Sequence, residues 1–126
     1  MRTGKIEVNG KEYLLCFSAR VVRDCSERYG NVDKIPDALK DGTETEIMDE
    51  CFWLMERMMD AGARYAKLEG TENPAPLSAD VLYDVCDFAD LAKMKTSIFE
   101  TITNGNERAI DAEFENEKNR EATQQA

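Results

Sequence analysis

The sequence contains no histidine in 126 residues. That removes the Ser-His and Cys-His pairs in which an imidazole activates a nucleophile. A lysine-activated serine is not offered either, because no serine stands in an SxxK spacing or a glycine-flanked elbow. The cysteines Cys16, Cys25, Cys51 and Cys86 are too far apart for a zinc cluster and form no CxxC. They read as small core hydrophobes kept reduced in a cytoplasm. There is no phosphate-binding glycine loop and no DxDxDG calcium loop. No catalytic, cofactor or metal site is expected, and the chain reads as a non-enzyme.

Positive charge is also in short supply. Lys and Arg total 16 against 26 Asp and Glu, a formal net charge of −10. Such a surface repels nucleic acid phosphates and anionic membranes, which leaves other proteins as partners. No apolar run approaches the roughly 20 residues of a membrane span. The start, Met1 to Lys5, has no apolar h-region, so the expected location is the cytoplasm. Paired carboxylates such as Asp49-Glu50 read as a solvated acidic face.

What the chain does have is periodic apolar residues on a length that suits one domain. Lys5 to Val8 and Lys11 to Phe17 alternate around Asn9-Gly10, the dipeptide that suits a type I′ turn. A two-residue loop sets Val8 against Lys11, Glu7 against Glu12 and Ile6 against Tyr13. Ile6, Val8, Tyr13 and Leu15 then share a face that must pack on something. Ser18 caps a helix over 19–29 with Val21, Val22, Cys25 and Tyr29 as its stripe and Gly30 as its stop. Ile35 and Leu39 suit one helical turn within the connector that follows.

Thr43 and Glu46 fit a capping box at the head of a helix over 44–66. Its apolar positions, from Met48 and Phe52 through Met55 and Met59 to Tyr65, cover roughly 160 to 180° of arc, against about 100° for a usual stripe. The helix is therefore either central, with neighbours on two sides, or partly open to a partner. Met48, Phe52, Met55 and Met59 are the candidate partner-binding residues, because methionine repacks readily against varied surfaces. Trp53, in the middle of the charged arc, is the fifth, as a flanking anchor. A loop with Pro74 and Pro76 follows. Ser78 caps a short helix burying Val81, Leu82 and Val85, and Asp87 or Asp90 starts a last helix. Leu91, Met94, Ile98 and Ile102 form its stripe, and Asn104-Gly105 is expected to stop it. The fold class is α+β, mainly helical: an N-terminal β-hairpin packed on a small bundle of about four helices. Residues 1–105 form the domain, and 106–126 a polar, mobile tail with only Ile110 and Phe114 as large apolar residues.

Four stretches occur in an order seen elsewhere. They are Ile6-Glu7-Val8-Asn9-Gly10-Lys11-Glu12-Tyr13, Glu27-Arg28-Tyr29-Gly30-Asn31, Leu82-Tyr83-Asp84 through Asp90-Leu91, and Ile102-Thr103-Asn104-Gly105. With the acidity and the length, this order resembles the tail assembly chaperones of long-tailed bacteriophages and prophages, over about the first 105 residues. The resemblance implies a non-enzymatic protein of the bacterial host cytoplasm. It would bind the tape measure protein, keep its apolar helices in solution and help recruit tail tube subunits, with self-association allowed. The alternative is a structural adaptor or head–tail joining subunit that stays in the virion.

Overall fold

The computed structural model describes the backbone of residues 3–125 and the side chains of residues 3–106. Strands β1 (Thr3–Val8) and β2 (Lys11–Cys16) form an antiparallel hairpin, with Val8 opposite Lys11, Glu7 opposite Glu12 and Ile6 opposite Tyr13. Asn9 and Gly10 have φ of 51° and 80°, the positive values a type I′ turn requires. Ile6, Val8, Tyr13 and Leu15 are buried, so the face expected from the alternation is the core face.

Helix α1 (Ala19–Tyr29) starts where the Ser18 side chain accepts from the Val21 amide and ends at Gly30, φ 85°. A 3-10 turn (Val32–Lys34) leads into the single turn α2 (Ile35–Ala38), which delivers Ile35 and Leu39 to the core. Helix α3 (Glu44–Glu69) opens with the capping box, Thr43 and Glu46 each satisfying the other's backbone amide, and closes on Gly70 in the left-handed region. It runs one turn beyond the expected end. Helix α4 (Ala79–Val85) is capped by Ser78, and its first amide also donates to Glu56 Oε2 of α3. Asp87 and Asp90 then exchange side-chain to backbone hydrogen bonds, 2.9 and 3.1 Å, at the head of α5 (Phe88–Gln125). The α+β, mainly helical class is as the sequence indicates.

The hairpin is seated between the two long helices: β2 lies on α3 and β1 on α5, while α3 also touches α1, α4 and α5. Two glycines allow the close approach. A Cβ at Gly62 of α3 would sit 1.8 Å from the Leu14 carbonyl oxygen, and a Cβ at Gly4 would sit 2.1 Å from Thr101 Oγ1. Side chains also occupy the outer edges of the hairpin. Asn104 Nδ2 donates to the Thr3 carbonyl at 2.7 Å, Lys93 Nζ to the Glu7 carbonyl at 2.6 Å, and the Leu14 amide donates to Asn73 Oδ1 at 2.9 Å. A two-stranded sheet has two edges able to pair with other chains, and these bonds blunt them.

Two expectations need correction. Asn104-Gly105 does not stop the last helix, which continues to Gln125. Asn104 is held by β1, and a Cβ at Gly105 would lie 3.2 Å from the Phe17 ring, so this dipeptide serves packing against the hairpin. The expected mobility of 106–126 concerns residues whose side chains, from 107 on, lie outside the described ones. In α4 only Leu82 is buried, whereas Val81 and Val85 are exposed. A helix of 7 residues turns one narrow edge to the core, and Leu82 fills it.

Candidate interaction surface

The wide apolar arc of α3 has the first of its two explanations: the helix is central. Phe52, Met55 and Met59 are buried in the common core with Leu54, Met58 and Cys51, and Met48 is half-buried against it. The reading of Phe52, Met55 and Met59 as a face open to a partner is therefore corrected. β2, α5, α4 and α1 together cover an arc too wide for one neighbour. The Phe52 ring meets the Tyr83 ring of α4 edge-on, centroids 4.3 Å apart. Tyr83 in turn donates to Asp49 Oδ1. Burial, with the Asp49 hydrogen bond and charge, pushes the Tyr83 hydroxyl up to about 12.

Trp53 is not stranded among carboxylates. It is half-buried where α1 crosses α3. The Arg28 guanidinium lies 4.4 Å from its ring centroid and that of Arg57 5.9 Å, while Tyr29 meets it edge-on at 5.9 Å. The ring thus closes an intramolecular seam, and its role as a partner anchor has no support from this placement. Glu50 organises the same seam. It accepts two bonds from Arg28, 2.7 and 3.0 Å, and one from the Tyr29 hydroxyl at 2.6 Å. Burial works to raise the Glu50 carboxyl, but the Arg28 and Tyr29 hydrogen bonds and the Arg28 charge outweigh it and hold the group below its ordinary value. Tyr29 is pushed up, by burial first and by Glu50 second.

Two concavities have largely polar linings. One of about 450 Å³ lies on the outer side of the hairpin, lined by Lys5, Glu12, Leu14, Asn73 and Glu100 among others. Another, of about 200 Å³, lies between α1 and α3 and mixes Arg20, Arg57 and Arg64 with Asp24 and Asp60. None of the four thiols lines either. Burial raises Cys25 to about 11 and Cys51 to about 12, so both stay protonated and unreactive at neutral pH. Among the described residues no group of three or more Cys, Asp or Glu is placed to hold a metal ion, and no helix is long and apolar enough to cross a membrane.

Sequence reasoning missed an apolar surface that is open. Val81 is 40% exposed, Val85 37% and Phe88, the first residue of α5, 68%. Asp80, Asp84 and Asp87 precede these three residues one by one, and all are exposed. That offset was the available signal, since it sets an acidic row directly beside the apolar one. Comparison of the chain with models of known protein families, with curated proteins and with solved structures found no match.

Proposed function

We propose that this chain is a non-enzymatic tail assembly chaperone of a long-tailed phage or prophage. It binds the tape measure protein in the host cytoplasm and recruits tail tube subunits. The observation that carries the reading is where the four resembling stretches fall. Asn9-Gly10 makes the hairpin turn, Tyr29-Gly30 ends α1, Leu82 to Leu91 spans the joint between α4 and α5, and Ile102 to Gly105 is where α5 packs on β1 and Phe17. Each stretch fixes a joint of the fold, so its order along the chain reflects architecture rather than composition. The net charge of −10 supports the same reading, since charge of one sign keeps a carrier of apolar helices in solution.

The test is genetic and analytical together. Deleting the gene should abolish tails while heads still form, and mass spectrometry of purified wild-type particles should not find the chain. Its presence at fixed copy number in finished particles would make it a structural adaptor instead. Normal tails from the deletion would remove it from tail assembly.

A further inference from the structure

Helix α4 and the first residue of α5 present apolar side chains that the fold leaves uncovered. Val81 and Val85 lie one turn apart, and Phe88 follows three residues on, no more than about 11 Å away along the chain. Leu82, on the adjoining flank of the helix, is buried in the core, and Glu56 and Tyr83 hold the helix on α3, so these side chains are presented on a fixed support. Asp80 and Asp84 run beside Val81 and Val85, about 100° around the helix, and Asp87 directly precedes Phe88 in the joint between α4 and α5. Among the described residues none of these carboxylates forms an ion pair. Covering this surface with an acidic or neutral partner would bury apolar area but leave the charges of Asp80 and Asp84 uncompensated at its border, whereas Asp87 already accepts from the Asp90 amide. A helix with an apolar stripe flanked by Lys or Arg would satisfy both.

We infer that Val81, Val85 and Phe88, bordered by Asp80, Asp84 and Asp87, form the docking strip for a basic amphipathic helix of a partner protein. The inference rests on the proposed binding function and names its surface and the chemistry of its partner.

The test uses the full chain and a labelled synthetic helical peptide with a leucine stripe flanked by lysines. A second peptide keeps the lysines and replaces the leucines with serine. Fluorescence anisotropy should show the leucine peptide binding at least tenfold tighter. Val85→Asp with Phe88→Asp should weaken it tenfold or more. Phe88→Ser is the milder companion, and Leu68→Asp, at the 87%-exposed end of α3, should change nothing. Asp80→Asn with Asp84→Asn should weaken binding several-fold and flatten its salt dependence. Circular dichroism melts confirm that each variant is folded. Equal binding of the two peptides, or an equal loss in Leu68→Asp, would overturn the strip. So would unaltered binding in the folded strip variants. The same variants in a pull-down with the tape measure protein separate the two claims. If wild type and the strip variants retain the tape measure protein alike, the strip is wrong and the function stands. If wild type binds the leucine peptide through the strip but not the tape measure protein, the strip stands and the function falls.

Discussion

Replacing Gly62 by alanine sets two effects of opposite sign against each other. In the middle of a helix, Gly→Ala ordinarily gains about 1 kcal/mol. Here the new Cβ would lie 1.8 Å from the Leu14 carbonyl oxygen and 2.5 Å from its carbon. Both are backbone atoms of a paired strand and cannot swing aside. Restoring 3.0 Å, the limit below which Cβ contacts are essentially never found, requires α3 and β2 to part by about 1.2 Å. Leu15, Leu54 and Met58 are fully buried along these elements. A gap of even 0.5–1 Å forfeits roughly a quarter to a half of each contact's attraction. Overpacking of this kind costs about 1–3 kcal/mol and sometimes more, and in this case it falls on backbone. The net expectation is a loss of about 2 kcal/mol, or about 8 °C in melting temperature for a chain of this size. Urea denaturation followed by circular dichroism measures it. Gly105→Ala is the control: its Cβ meets only the Phe17 side chain, at 3.2 Å, and its stability should stay within about 0.5 kcal/mol of wild type or rise slightly. A Gly62→Ala protein as stable as wild type, or more so, would refute the seating of the hairpin on α3.

Trp53→Ala should cost about 2 kcal/mol of stability, since a half-buried ring held by Arg28, Arg57 and Tyr29 loses part of the 3–5 kcal/mol of a core aromatic; an unchanged melt would return Trp53 to the surface. Glu50 sits below its ordinary value of 4.5, so its contribution is complete above that pH and is lost as pH falls through the lower folded value. The share of stability that Glu50 supplies should therefore hold down to about pH 4.5 and be lost below it, as should that of Glu56, which is likewise lowered, and Glu50→Gln should be less stable at neutral pH with a shallower acid fall. At pH 8 a thiol reagent should reach half-buried Cys86 first and leave Cys25 and Cys51 untouched until the protein unfolds; rapid loss of all thiols in the folded state would contradict the burial described.

Features decided within a few residues were legible in the sequence. The Asn9-Gly10 turn, the Ser18 and Ser78 caps, the Thr43/Glu46 box and the Gly30 stop depend on local backbone chemistry, and each stands where the residues put it. The helical phase of α3 was legible too. Whether its wide arc was open or covered was not, because that depends on β2, α4 and α5 arriving from distant sequence. The same holds for Trp53, whose partners Arg28 and Tyr29 come from α1. Asn104-Gly105 has the composition of a stop, yet β1 takes the asparagine amide and Phe17 takes the space beside the glycine. At α4 the apolar spacing was right and its destination was not. Leu82 alone reaches the core, and the residues left outside form the candidate surface.

The most direct measurement is co-expression of this chain with the proposed partner, a phage tape measure protein, followed by separation of soluble and insoluble material and affinity purification on a tag carried by this chain. The account predicts that the tape measure protein is insoluble when expressed by itself. With this chain it should become soluble and co-purify at a defined ratio. A tape measure protein that stays insoluble, or becomes soluble without co-purifying, would contradict the proposed function.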